Sequence, residues 1–220
     1  MNKIILDLEF CKMAKNELEA REICKQEIIQ IGAVKLDSQN KIIDSFNMLV
    51  KPCYSNISKK VERLTHISNE MVSDAPDFIY AMDQFFSWIG QEPFIMYSWS
   101  MTDKEVMRDE AMLKGYNDHR LLSSLIYWMD LQKMVDETIG VEKQLSLENV
   151  LRGVDIVFEG QQHSALDDAR NTAYIFQIMQ DKTSFSRKMR PIVELFAPKE
   201  EVTFTLGNLF SGINLQLAAC

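Results

Sequence analysis

Three stretches in the first fifty residues carry the apolar patterning of strands. Lys3 to Glu9 is a short run of aliphatic and β-branched positions. Glu27 to Leu36 (EIIQIGAVKL) is a second, closed by the turn-forming Asp37-Ser38-Gln39-Asn40. Lys41 to Val50 is a third, ended by Pro52. In order, they predict an antiparallel meander. The period then changes. Between Asp77 and Ile89, Phe78, Ala81, Met82, Phe85 and Trp88 recur at three- and four-residue spacing, which predicts a helix between Pro76 and Gly90.

Phe94 to Tyr97 reads as a short strand after Pro93. Helices are expected over Asp103 to Lys114 (ended by Gly115), Leu121 to Ile139 (ended by Gly140), Leu145 to Leu151 and Ser164 to Met179. Ala165, Ala169, Ala173 and Phe176 form the inner stripe of the last. A meander, a helix, another strand and then helices predict an α/β domain with a mixed sheet. The domain is expected to span residues 1–181, with 182–220 as a C-terminal extension. Within the extension, Ser184 to Phe196 reads as a helix broken by Pro191 and Val202 to Leu206 as an added strand; Gly207 to Cys220 has only weak signals.

At 220 residues the chain is long enough for one well-buried domain. No apolar run approaches the roughly 20 residues needed to cross a bilayer. The apolar stretch within Met1 to Phe10 contains Asp7 and Glu9, which a secretory segment does not tolerate, so a cytoplasmic protein is expected. Cys11, Cys24, Cys53 and Cys220 are scattered and fit neither a zinc site nor a disulfide framework. The net charge of −8 argues against broad attraction to nucleic acid. It leaves room for a nucleic-acid enzyme whose carboxylates are neutralised by metal ions.

Asp7 and Glu9 are two apart on a predicted strand and share one side, while Leu6, Leu8 and Phe10 face the other. Two adjacent carboxylates repel unless a cation lies between them, or unless the strand is an edge with a solvated acidic face. The second cluster is His163-Ser164-Ala165-Leu166-Asp167-Asp168. Ser164 and Asp167 have capping-box spacing, so Asp167 has a structural role. Asp168 has none, and lies in the first turn, where the helix dipole favours a negative charge. His163 stands just outside the helix. Hard oxygen ligands suit Mg²⁺ or Mn²⁺, and histidine, with an ordinary pKa of about 6.5, can take a proton from water.

This ordered set, Asp7-Leu8-Glu9, an acid mid-chain and His163-x-Ala165-x-x-Asp168, resembles the DEDDh 3′→5′ exonucleases, which have a ribonuclease H-like fold. Supporting stretches are EIIQIGAV (Glu27 to Val34), LTHI (Leu64 to Ile67) followed by Ala75-Pro76, and HSALDDARNTA (His163 to Ala173). Within that superfamily SWSMTD (Ser98 to Asp103), MDLQ (Met129 to Gln132) and KQLSLENVL (Lys143 to Leu151) are similar to the KapD-type, RNA-trimming branch. The middle acid falls on Asp103, which opens a helix after a strand. Some relatives place it directly after the Trp, where this chain has Ser100; Asp109 is a further choice. Cys11 stands where many relatives have a small hydroxyl residue.

The resemblance implies two divalent cations, Mg²⁺ or Mn²⁺, held by Asp7, Glu9, Asp103 and Asp168, with His163 taking the proton of the attacking water. It implies hydrolysis of single-stranded nucleic acid from its 3′ end to nucleoside 5′-monophosphates, with RNA favoured. It also implies that Phe10, Leu64, Thr65 and Ile67 contact the terminal nucleotide. Strand alternation puts Phe10 in the core; a strand ending there would free it for base stacking. His66 reads as a loop residue and His119 as a surface one. A DNA exonuclease and a non-catalytic binding module are the competing functions.

Overall fold

The computed structural model describes residues 1–141 and 144–196. Strands β1 (Asn2–Lys12), β2 (Gln26–Leu36) and β3 (Ile42–Leu49) form the expected antiparallel meander. Strand β4 (Phe94–Ser98) adds parallel to β1, and β5 (Met129–Asp130) parallel to β4, giving the order β3-β2-β1-β4-β5. Helices α1 (Leu18–Ile23), α2 (Lys59–Thr65), α3 (Asn69–Ser73), α4 (Phe78–Ile89) and α5 (Thr102–Lys114) precede α6 (His119–Ile126), α7 (Leu131–Ile139), α8 (Leu147–Gly153), α9 (Ala165–Ile178) and α10 (Lys182–Phe196). None of the described helices is long and apolar enough to cross a membrane.

Strand alternation divides the core in two. On one face Ile4, Leu6, Leu8, Ile31 and Ala33 pack against Phe78, Met82 and Phe85 of α4 and Met107 of α5. On the other, Ile5, Val34 and Leu36 meet Val135 of α7, Val150 of α8, Ala173 and Phe176 of α9, and Phe185 and Met189 of α10. Each such fully buried large side chain contributes about 1.5–3 kcal/mol. Asp7 and Glu9 continue the face that Ile5 starts, and so point toward α9.

A β-bulge falls between Glu9 and Phe10, where Glu9 pairs with Gln30 but Phe10 with Ile28. It is held by a buried ionic group. Glu110 Oε2 accepts from Ile28 N at 2.7 Å, and Lys114 Nζ meets Glu110 Oε1 at 2.6 Å and Glu27 Oε1 at 3.3 Å. Glu27 also accepts the backbone N–H groups of Cys53 and Tyr54.

The secondary-structure elements depart from the sequence expectations in four places. The helix expected over Leu121–Ile139 is two helices separated by β5. Trp128 is buried between them and donates from Nε1 to Ser98 Oγ at 2.8 Å, and Asp130 restarts the helix by accepting from Lys133 N at 2.8 Å. Helix α10 runs through Pro191 unbroken, because Phe185 and Met189 anchor it in the core on the near side and Ile192 packs there on the far side. Helices α1 to α3 were not anticipated, being five to seven residues long with one buried residue each. Strand β1 continues past Phe10 to Lys12. The expected strand Val202–Leu206 and the stretch Gly207–Cys220 lie outside the described residues.

Candidate active site

The site forms where the N-terminus of α9 crosses β1 and β2. Asp7 pairs with Gly32 and Glu9 with Gln30, and both β2 residues touch α9. At Gly32 the contact is backbone to backbone: a Cβ there would lie 2.1 Å from Ala165 C and Leu166 N. At Gln30 it is a hydrogen bond, Ala165 N donating to Oε1 at 3.1 Å. Gln30 therefore caps the helix, and the expected capping box does not form, since the Ser164 side chain makes no cap bond.

Asp167 turns outward to the preceding loop instead. Its carboxylate accepts from Gln161 N at 3.1 Å and pairs with Arg170 at 3.4 Å. It packs so tightly on Gly160, whose φ is +88°, that a Cβ there would come within 2.5 Å of its Cγ. Asn171, fully buried, receives Glu159 N on Oδ1 at 3.0 Å and donates to Glu159 O at 2.9 Å. The loop so fastened ends at His163, exposed and held at φ +62°, a left-handed conformation that non-glycine residues adopt at a cost of about 1–2 kcal/mol.

Glu9, His163 and Asp168 each present one ligand atom, and the three atoms lie within 4.8 Å of one another. Asp103 reaches the same cluster from the first turn of α5. Strand β4 pairs with β1 only as far as Ile5, so the N–H of Leu8 is free to donate to Asp103 Oδ1, at 3.0 Å. The turn leading to α5 is fixed by Ser98, whose hydroxyl donates to Ser100 O. The alternatives to Asp103 point elsewhere: Asp109 pairs with Arg108 at 2.6 Å, and Ser100 Oγ accepts from Thr102 N at 3.3 Å.

Electrostatics agree with the geometry. Burial, then repulsion from Asp103, Asp168 and Glu9, raises the Asp7 carboxyl well above the carboxylate range. Burial and repulsion from Asp168 and Asp103 push Glu9 up to about 8. Burial pushes Asp103 up to about 7 against the Leu8 hydrogen bond, and Asp168 up to about 6 against backbone N–H groups of His163 and Ser164. Acids that oppose one another's ionisation inside a shared pocket are a donor set suited to hard divalent cations.

The four residues expected at the substrate have different settings. Phe10 is half-buried against the core around Leu8, and β1 does not end there. Leu64 is exposed. Thr65 and Ile67 are buried and line a groove of about 330 Å³ with Gln30, Asn47, His66 and Ser164. His66 caps α2 in the left-handed region at φ +59°, and His119 is exposed. Cys11 and Cys24 are buried free thiols and Cys53 an exposed one. Gln30, Gly32, Gly160 and Asn171 were not singled out from the sequence. The first two lie inside EIIQIGAV and Asn171 inside HSALDDARNTA; the signal was a polar residue and a glycine within an otherwise apolar strand.

Known proteins resemble this chain in sequence and in fold. The chain is 28% identical over 153 residues to the PolC-type DNA polymerase III of Staphylococcus saprophyticus, a match that takes in 68% of this chain and 10% of that polymerase. Cell-death related nuclease 4 superposes with a TM-score of 0.69 at 26% identity, over 82% of this chain and 64% of its own. The nuclease domain of 3′hExo, a DEDDh family member solved with rAMP, superposes with a TM-score of 0.68 at 21% identity, over 84% and 94% of the two chains, and shares the ribonuclease H-like fold. The model of the exonuclease family RNase T matches residues 4–176, a span that begins before Asp7 and ends beyond Asp168. With every acid of the cluster inside that span, the chain belongs to the RNase T exonuclease family.

Proposed function

We propose that this chain is a DEDDh-type 3′→5′ exonuclease that shortens single-stranded nucleic acid, with RNA favoured, and releases nucleoside 5′-monophosphates. The observation that carries the reading is the convergence of Glu9, Asp168 and His163 within 4.8 Å, beside Asp7 and Asp103. The family uses divalent cations, and Asp7, Glu9, Asp103 and Asp168 would hold them here. When bound, such ions supply Lewis-acid polarisation of the phosphate and neutralise its charge. His163, exposed at the mouth of the cluster, accepts the proton of the attacking water. Water oxygen bonds to phosphorus, the bond from phosphorus to the preceding 3′-oxygen breaks, and that oxygen takes up a proton as it leaves. The groove lined by Thr65 and Ile67 receives the strand end, with exposed Leu64 and the open side of Phe10 available to its base.

Preference for RNA rests on the similarity of SWSMTD, MDLQ and KQLSLENVL to the RNA-trimming branch. The relative in Staphylococcus is a DNA polymerase by name, which favours DNA as the second reading. Matched 5′-labelled RNA and DNA oligomers, incubated with Mn²⁺, Mg²⁺ or EDTA, separate the two. The expected result is stepwise 3′ shortening of RNA, lost in EDTA. Faster shortening of DNA reverses the preference, and no shortening of either leaves only a binding module.

A further inference from the structure

Gln30 connects the groove to the start of α9, the helix that carries Asp168, through directed bonds. Its side chain is almost wholly buried, and both ends of its amide are committed. Oε1 accepts from Ala165 N at 3.1 Å, and Nε2 donates to Asn47 Oδ1 at 2.9 Å. A backbone N–H can only donate, so the oxygen must face Ala165 and the NH₂ must face Asn47. Ala165 opens α9, whose first N–H groups have no intrahelical partner, and Ser164 leaves them uncapped. Gln30 also stands directly opposite Glu9 on the sheet.

We propose that Gln30 is a positioning residue for the cleavage reaction and that exposed Asn47 of β3 sets it, the pair holding the N-terminus of α9 in register with β1. The inference rests on the exonuclease reading above and deepens it. Without Asn47, the Gln30 amide loses the bond that fixes its Nε2 and can swing out of line with the Ala165 N–H. The helix start then loses its cap, and His163 and Asp168 drift from Glu9. Displacements of about 1 Å near reacting groups cost on the order of 100-fold in rate. Asn47 is exposed on its strand, so its removal alone is not expected to unfold the protein.

The test compares Asn47→Ala, Gln30→Met and Gln30→Glu with the wild-type chain in three measurements. These are amide hydrogen exchange of Ala165 in the metal-free protein, Mn²⁺ affinity by calorimetry, and kcat and KM for trimming a labelled oligonucleotide. Asn47→Ala should melt with the wild type, exchange Ala165 roughly 10-fold faster, bind Mn²⁺ more weakly and lose about 10-fold in kcat with KM little changed. Gln30→Met should lose about 100-fold. Gln30→Glu keeps an acceptor for Ala165 and should stay within a few-fold of Asn47→Ala. Wild-type Ala165 protection and wild-type kcat in Asn47→Ala would overturn the inference, whether or not Gln30→Met folds. So would a loss confined to KM with Ala165 still protected, which would make Asn47 a substrate contact. A wild-type chain that binds Mn²⁺ but trims nothing would overturn the exonuclease reading and this inference together.

Discussion

Replacing Gly32 with alanine adds one methyl group at the closest approach of β2 and α9. The new Cβ would lie 2.1 Å from Ala165 C and Leu166 N and 2.5 Å from Ala165 O. Ordinary van der Waals contact starts near 3.4 Å, so the two backbones must separate by the difference, about 1.3 Å. All three atoms are main chain, and no side chain can rotate away. Overpacking of this kind costs about 1–3 kcal/mol, which for a domain of this size lowers the melting temperature by roughly 3–10 °C. The larger effect is on the chemistry. His163 and Asp168 ride on the displaced helix start while Asp7 and Glu9 stay on β1, so a separation of about 1 Å should reduce cleavage on the order of 100-fold. The assay is single-turnover trimming of a 5′-labelled oligonucleotide with Mn²⁺, beside a melt of the same sample. A Gly32→Ala protein that melts a few degrees lower yet cleaves at the wild-type rate would refute the claim that this glycine sets the site.

Asp7→Asn should abolish trimming while raising the melting temperature of the metal-free protein, since it removes a buried carboxyl that its neighbours oppose; a lower metal-free melting temperature would contradict the repulsion argument. Glu9, raised from 4.5 to about 8, and Asp168, raised to about 6, bind protons in the folded state that the unfolded chain has released, so metal-free stability should fall as pH rises from about 4.5 to 8. Saturating Mg²⁺ or Mn²⁺ should cancel that fall, and melts at pH 5 and 8 with EDTA or with metal would show it. Lys114→Met leaves Glu27 and Glu110 buried without their cation and should destabilise by about 3–5 kcal/mol in urea.

The meander, α4, α5 and α9 were legible because each carries either an alternating or a 3.6-residue apolar pattern over enough positions to be distinctive. The acids were legible because Asp7 and Glu9 interrupt such a pattern on one face, and Asp168 sits where capping does not require it. Helices α2 and α3 were too short for periodicity to register, though Ser58 and Ser68 cap them through Val61 N and Met71 N as helix starts do. The break at Trp128 was hidden because Leu121, Leu125, Trp128, Leu131 and Val135 keep three- and four-residue spacing across it. Only Asp130, capping α7, marked the restart. Gln30 was missed because its partners, Asn47 and Ala165, are 17 and 135 residues away along the chain.

The β1–β2 pair borders two groups of buried acids, and their difference carries the functional argument. Glu27 and Glu110 are fully buried and share a cation inside the chain: Lys114 stands between them, and the N–H groups of Ile28, Cys53 and Tyr54 reach their oxygens, though burial still pushes Glu110 up to about 7. Asp7, Glu9, Asp103 and Asp168 form no ion pair with lysine or arginine among the described residues; backbone N–H groups of Leu8, His163 and Ser164 only partly offset the burial of Asp103 and Asp168. The difference between the two groups is the cation: Lys114 sits at 2.6 and 3.3 Å in the first, and no lysine or arginine of the described residues pairs with the second. Four buried carboxyls without a cation of their own are a donor set that divalent ions from solution would stabilise, and the chain brings them together with Gly32, Gln30 and Asn171, none of which carries charge.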